Sequence, residues 1–280
     1  MFWSRKRRLP EISGTRRITR DTAEFGLQVI PSNYQSVGAR ENQEDSFALS
    51  DYRNRQDVEE NGVLAIVADG MGGLCYGEEA SRVAVQHFIR EYISTNGEKS
   101  IPGRLNRSIS IANTAVFDLA YNDRDDCDLG TTLVATAVFN DQLYWISVGD
   151  SRIYLFRDDE LKQLSNDHIY ANHLEIDVAN GKISRDEANN HPEKDYLTSY
   201  LGLPSLTEID QNYEPLQLKG GDIIVLCSDG LYDTLQESEI AFLLKRRTPS
   251  IAEELVKQTL GKDNTHQDNV TVIAFKVIDP

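Results

Sequence analysis

Sulfur, histidine and long apolar runs are all scarce in this chain. Its 280 residues hold three Cys, two Met and five His. Cys75, Cys127 and Cys227 show no paired spacing, which excludes a disulfide scaffold and a zinc framework; a reducing cytosol is the simplest reading. No apolar run is long enough to cross a membrane, so no transmembrane helix is expected. The first residues lack the apolar stretch of a signal peptide, and a cytoplasmic location follows as an expectation. Cations are also in short supply: 29 Lys and Arg face 45 Asp and Glu, for a net charge of −16. That balance argues against nonspecific nucleic-acid binding by the body of the chain, and against a two-metal nuclease, which needs a basic cleft.

What remains is an acidic chain with 40% hydrophobic residues, enough for a substantial core. One stretch breaks the acidic pattern. Between Met1 and Arg20, Arg5, Lys6, Arg7, Arg8, Arg16, Arg17 and Arg20 are opposed only by Glu11. Residues 1–27 are expected to form a flexible basic arm. Two readings stand for it: a contact with acidic lipid, nucleic acid or an acidic partner, or a solvated tail lying against its own acidic body. Residues 28–280 read as one domain, without repeats or low-complexity linkers.

Periodicity supplies a coarse element map. Val63 to Asp69 reads as a buried strand. Glu78 to Ile93 and Gly103 to Tyr121 carry apolar residues at helical spacing. Thr131 to Phe139 and Leu143 to Val148 flank Asn140-Asp141, the signal of an antiparallel hairpin. Ile153 to Phe156 and Ile223 to Cys227 read as further strands, and Val270 to Val277 as the closing one. Glu237 to Lys245 and Ile251 to Leu260 read as helices. The polar stretch 164–202 reads as a flap with short helices at Tyr170 to Val178 and Ser184 to Asn189. Two helices, then strands, then two helices and a strand predict an α+β layered domain rather than a doubly wound parallel sheet.

Five segments place acidic residues where strands end in turns: Arg40-Glu41-Asn42-Gln43-Glu44-Asp45, Asp69-Gly70-Met71-Gly72-Gly73, Gly149-Asp150-Ser151-Arg152, Ser228-Asp229-Gly230 and Asp268-Asn269. A carboxylate at the end of a buried strand is costly unless its charge is compensated. Several of them in one chain predict strands converging on cations. Mg²⁺ and Mn²⁺ prefer oxygen ligands, few carboxylates and several retained waters, and Asp-Gly suits them because Gly lets a backbone carbonyl approach closely. A lone Asp-Gly is also an ordinary turn; the joint occurrence of five segments carries the inference.

Taken in order, these segments resemble the metal-dependent type 2C protein serine/threonine phosphatases in their compact bacterial form. The similarity runs from Gly38 to Lys276. It includes Gly77-Glu78-Glu79-Ala80-Ser81, Gly130-Thr131-Thr132, Asp167-His168, Leu201-Gly202 and Ser228-Asp229-Gly230-Leu231. The resemblance implies a four-layer α-β-β-α sandwich: two antiparallel sheets flanked by helices, with two Mn²⁺ or Mg²⁺ ions in the cleft between them. It implies Asp69 bridging both ions, Gly70 giving its carbonyl oxygen to one, and Asp229 and Asp268 holding the other. Glu44 and Asp45 would stand at the edge of the site, Asp150 with Asp229 would form a third, outer site, and Asn269 would orient its neighbours.

The implied reaction is hydrolysis of phosphoserine or phosphothreonine by a hydroxide bridging the ions, without a phospho-enzyme. None of the three Cys sits in a Cys-x5-Arg loop, consistent with that route. Arg40 is the candidate phosphate clamp, with a surface salt bridge to Glu41 or Glu44 as the plain alternative. The usual proton donors are missing: Met71 and Leu74 stand where relatives carry His. His168 is a candidate substrate contact, its alternative being a structural His that caps a turn beside Asp167. Asp167 and His191 match flap positions. The expected partners are phosphoproteins and a cognate Ser/Thr kinase whose action a monomeric enzyme would oppose. A catalytically weak regulatory or phosphoprotein-binding member of the same fold is the alternative.

Overall fold

A computed structural model describes residues 26–71, 76–94, 100–123, 129–246, 248–262 and 264–279. The basic arm through Phe25 lies outside them, as do Gly72, Gly73, Leu74 and Cys75.

The chain opens with β1 (Gln28–Ser36) and β2 (Asp45–Leu49), then a short helix α1 (Arg55–Asn61) capped by the Asn54 side chain. The apolar run at Val63 becomes β3 (Val63–Met71). Two long helices follow, α2 (Gly77–Ser94) and α3 (Ile101–Asp123). The stretch expected as one strand from Thr131 divides into β4 (Gly130–Thr131) and β5 (Leu133–Phe139). The break falls at Thr132, whose backbone N–H turns to the Asp69 carbonyl at 2.9 Å.

Asn140 and Asp141 both take positive φ, 50° and 61°, giving the mirror-image turn that joins β5 to β6 (Gln142–Val148). Asp158 and Asp159 do the same between β7 (Arg152–Arg157) and β8 (Glu160–Gln163), a second hairpin that the apolar pattern did not reveal. The flap holds α4 (Tyr170–Ala179) and α5 (Arg185–Asn189), the latter with a Ser184–Glu187 capping box. Short strands β9 (Asp210–Gln211) and β10 (Leu216–Gln217) lead to β11 (Ile223–Cys227), a one-turn helix α6 (Asp229–Tyr232), α7 (Glu237–Leu244), α8 (Ile251–Leu260) and β12 (Val270–Ile278).

All strand pairs are antiparallel. One sheet runs β1-β12-β11-β7-β8; the other runs β10-β6-β5-β3-β2, with β4 on β3 and β9 on β6. The period of two along β3 shows how they stack. Val63, Ala65 and Val67 face Ile224, Leu226, Ile273 and Phe275 of the other sheet, forming the central core. Leu64, Ile66 and Ala68 face the opposite way, onto α2 and α3 through Ala84, Phe88, Leu105 and Ile109. The outer face of the first sheet packs Val225, Val272 and Ala274 under α7 and α8 through Ile240, Leu244, Leu255 and Val256. Helix, sheet, sheet, helix is therefore the layer order, and β3 is buried on both faces because each face meets a different layer.

Candidate metal centre

The acidic segments come together at one end of the sandwich because of strand register. Asp69 follows Val63, Ala65 and Val67 on the inter-sheet face of β3. Asp45 is its direct cross-strand partner on β2. Like charges directly opposite one another destabilise a sheet, so this pair needs compensation. In the other sheet, Cys227 pairs with Val272, so the end of β11 and the start of β12 lie side by side. That brings Asp229 next to Asp268 and Asn269. Leu133 pairs with Val148, which places Gly149-Asp150 beside the β4–β5 break at Thr132.

Backbone packing at this end is too close for side chains. A Cβ at Gly70 would meet the Gly77 carbonyl oxygen at 2.1 Å and that of Glu44 at 2.7 Å. Gly38, at φ +62°, would clash with the Asp268 carbonyl at 2.2 Å. Polar side chains then fix the loops. Asn269 accepts from the Glu44 N–H at 2.6 Å and donates to the carbonyls of Val37 and Asn42 at 2.9 and 3.0 Å. One residue thus stitches the whole Arg40–Glu44 turn to the start of β12. Asp69 is held through its backbone: its N–H donates to Thr132 Oγ1 at 3.0 Å, and its carbonyl accepts from Thr131 Oγ1 at 2.8 Å. Thr132 Oγ1 lies 2.7 Å from Ser151 Oγ. Asp45 reaches across to the other sheet, where its Oδ2 accepts from Ser228 Oγ and Thr271 Oγ1, each at 2.7 Å.

The electrostatics are those of uncompensated charge. Burial pushes the Asp69 carboxyl well above its usual range, and Asp45, Asp229, Asp150 and Asp268 raise it further. Asp229 is pushed up first by burial, then by Asp150, Asp233, Asp268 and Asp45. Asp150 rises to about 6 by burial and by Asp167. Burial also raises Asp45 and Glu44. Asp45 Oδ1 and Asp229 Oδ1 are buried without a hydrogen-bond partner among the described residues. The exposed Arg40 donates to Asp268 Oδ2 at 2.5 Å, so its ion-pair partner is neither Glu41 nor Glu44.

An oxygen-only donor set, two orphan carboxylate oxygens and mutual repulsion fit hard divalent cations. Among the described residues no three His, Cys, Asp or Glu side chains, as placed, form a group that could hold a metal ion. Asp45 leans on two hydroxyls and Asp268 on Arg40, leaving an open set. Mg²⁺ is bound in just such sites, through one or two carboxylates with waters retained.

The flap is tied to this end. His168 is buried; its ring Nδ1 accepts from the Gly149 N–H at 3.0 Å, and its backbone N–H donates to the Gly149 carbonyl at 2.9 Å. Burial lowers its pKa, and an acceptor at Nδ1 requires the neutral ring. The geometry thus makes His168 an anchor of the Gly149-Asp150 turn. Beside it, Asp167 accepts two bonds from Arg152 Nε at 3.1 and 3.0 Å and one from Nη2 at 2.6 Å, while the guanidinium lies 3.5 Å from the Tyr232 ring centroid. His191 lies edge-on to Tyr170 within the flap. Met71, at the end of β3, pairs with Gly130; Leu74 lies outside the described residues.

The structure thus gathers Glu44, Asp45, Asp69, Gly70, Asp150, Asp229, Asp268 and Asn269, with Arg40 at the rim. Sequence reasoning missed Thr271 and Asp233, and named Thr132 only within the Gly130-Thr131-Thr132 segment, without a role. Asp233 follows Asp229 by one helical turn, a signal that was legible. The two threonines look like ordinary strand residues, and only register brings them to carboxylates.

A four-layer sandwich with buried carboxylates at one end of its two sheets defines the class. A family model described as protein phosphatase 2C matches residues 38–263, and the chain belongs to that family. It is 33% identical over 240 residues to the serine/threonine phosphatase stp of Listeria innocua, covering 84% of this chain and 90% of that protein. It is 30% identical over 227 residues to the serine/threonine protein phosphatase PstP of Mycobacterium tuberculosis, covering 81% of this chain and 42% of the relative. The solved structure of the Stp1 phosphatase of Staphylococcus aureus superposes with a TM-score of 0.74 at 27% identity, over 90% of this chain and 96% of that one. The catalytic domain of PstP, solved in complex with two manganese ions, gives 0.69 at 28% identity, over 90% of this chain and 100% of that one.

Proposed function

We propose that this chain is a metal-dependent protein serine/threonine phosphatase acting on phosphoserine and phosphothreonine. The observation that carries the reading is buried Asp69, faced by Asp45, Asp150, Asp229 and Asp268 at the open end of the inter-sheet cleft. Asp69, the Gly70 carbonyl, Asp229 and Asp268 would hold two Mn²⁺ or Mg²⁺ ions, with Glu44 and Asp45 at the edge and Asp150 at an outer position. Bound there, the ions supply Lewis-acid activation of a water nucleophile and neutralise the phosphoryl group.

The chain's own residues do the rest. Asp45, fixed by Ser228 and Thr271, supports the floor of the site. Asn269 sets the Arg40–Glu44 turn so that Glu44 and Arg40 face the cleft. Arg40 is exposed and, among the described residues, its ion-pair partner is Asp268, so its fork is available to exchange that carboxylate for substrate phosphate oxygens. His168, neutral and committed to Gly149, stays out of proton transfer and holds the flap beside the cleft. The substrates would be phosphoproteins made by a cognate Ser/Thr kinase, and the enzyme would act as a cytoplasmic monomer.

Hydrolysis of a phosphothreonine peptide, with and without Mn²⁺, tests the proposal. Turnover should require the ion and collapse in Asp69→Asn and Asp229→Asn. Calorimetric Mn²⁺ binding by wild type without turnover on several phosphopeptides would sink it.

A further inference from the structure

Gln35 stands outside the acidic segments, on the edge strand β1, yet it is wired to one of their carboxylates. It is the cross-strand partner of Thr271 on β12. Its Nε2 donates to the Asp45 backbone carbonyl at 3.0 Å and to Thr271 Oγ1 at 2.9 Å. A carbonyl can only accept, so the end of Gln35 that meets it is the NH2 group and not the oxygen. Thr271 Oγ1 therefore receives a hydrogen from Gln35. Its own single hydroxyl hydrogen goes to Asp45 Oδ2 at 2.7 Å.

A second arm reaches the same oxygen. Ser228 is the N-cap residue of α6, a position where a serine hydroxyl ordinarily accepts from the first turn of its own helix. Here it makes no such bond. Ser228 Oγ accepts instead from the Thr271 N–H at 3.0 Å and donates to Asp45 Oδ2 at 2.7 Å. Each hydroxyl thus accepts from an amide and has its one hydrogen aimed at Asp45. Both arms converge on Oδ2 and fill its two lone pairs. Asp45, Ser228 and Thr271 are all buried, and Asp45 Oδ1 has no hydrogen-bond partner among the described residues. Asp45 belongs to one sheet and the other three residues to the second. Ser228 directly precedes Asp229, so the relay also sets the Asp45 carboxylate against the strand ends that carry Asp229 and Asp268.

We infer that Gln35, Thr271 and Ser228 are positioning residues of the metal centre that act through Asp45. Their one-way hydrogen-bond relay occupies Oδ2 and reserves Oδ1 for a divalent cation or a water that the cation retains. The role rests on the metal-centre reading proposed for this site and adds what aims one of its carboxylates. Carboxylates at metal sites are hydrogen-bonded in turn, and losing such a partner costs roughly 10–100-fold in metal affinity.

Mn²⁺ binding to the full chain, followed by calorimetry and by the rise in melting temperature that the ion produces, tests this role apart from turnover. Thr271→Val keeps the shape and removes the hydroxyl, and its Mn²⁺ affinity should fall roughly 10–100-fold. Thr271→Ser keeps the hydroxyl and should retain most of the wild-type affinity. Gln35→Met, at a half-buried position, should weaken binding several-fold by freeing the Thr271 hydroxyl. In an Asp45→Ala background, Thr271→Val should cause no further loss, because the residue it acts through is gone. Wild-type affinity in Thr271→Val overturns the inference. Equal losses in Thr271→Val and Thr271→Ser do the same, as does a full further loss in the Asp45→Ala background. If Thr271→Val does not fold, Gln35→Met decides, and unchanged Mn²⁺ affinity there overturns the relay. Mn²⁺ binding by wild type without hydrolysis of phosphopeptides sinks the phosphatase proposal alone, since none of these readouts needs turnover.

Discussion

Buried charge is handled in opposite ways in two regions of this molecule. At the cleft, Asp45, Asp69, Asp150 and Asp229 share an end of the sheets, and the chief cations in reach are Arg40, already on Asp268, and Arg152, already on Asp167. Among α1, α2 and α3, by contrast, a lone cation is satisfied almost wholly by backbone. Buried Arg104 donates to the Tyr92 carbonyl at 3.0 and 2.6 Å, to Asn61 Oδ1 at 2.7 Å and to the Glu60 carbonyl at 3.4 Å, with its guanidinium 4.1 Å from the Tyr92 ring centroid. Those carbonyls sit in the last turns of α1 and α2, where orphan acceptors and the helix dipole both favour a cation. The Arg104 region is complete as folded; the acidic end is built to be completed by something else. Unbalanced charge at a cleft, beside balanced charge in the core, marks where function was placed.

The sharpest way to break this contrast is one substitution in each region. Asp69→Asn should lower turnover by more than about 100-fold, above the range for outer-shell partners. In chelator it should raise the melting temperature, by roughly 2–4 °C per kcal/mol of repulsion relieved. A fall in both would show that Asp69 is structural. Arg104→Ala should do the reverse: cost about 3 kcal/mol in urea titration, because buried carbonyls lose a charged donor, while activity per folded molecule stays unchanged. Arg104→Lys should recover little, since an ammonium cannot reproduce the fork.

A smaller effect sharpens the same line. Asp222, buried just before the central strand β11 of the first sheet, holds Arg157 through bonds of 2.8 and 2.6 Å and accepts from the Lys219 N–H. Asp222→Asn should cost about 2 kcal/mol, with no gain of the kind expected at Asp69. The smallest effect belongs to His168. Its folded pKa lies below the ordinary 6.5, so as pH falls through 6.5 the unfolded chain takes up the proton first. Stability is full above that value and declines as pH falls toward the lower folded value. His168→Asn, which can still accept from Gly149, should flatten the pH dependence of unfolding between pH 7 and 5. An unchanged slope would place the titration elsewhere.

Much of this was legible before the structure. The apolar runs at Val63, Leu143, Ile223 and Val270 are strands, and the turn at Asn140-Asp141 joins a hairpin, because burial and turn chemistry are local signals. β1 escaped notice. Its residues alternate poorly, Pro31 interrupts them, and its place is an edge where only pairing with β12 defines it. The Asp158-Asp159 hairpin was hidden for a related reason: β8 is short and largely polar. At the site, every acidic segment was visible, but the alliance of Arg40 with Asp268 rather than Glu41 or Glu44 was not. Nor was Gly149 as the partner of His168, although a structural His that caps a turn beside Asp167 stood among the readings.

By itself the sequence determined which residues carry charge to strand ends, in what order, and that cysteine and histidine chemistry had little material to work with. These are properties of residue identity and local pattern. The tertiary structure decided which carboxylates face one another, which find hydroxyl or guanidinium partners and which remain orphaned. Those outcomes depend on the register of β2 on β3 and of β11 on β12, where a slip of one residue would turn Asp69 and Asp45 away from the inter-sheet cleft.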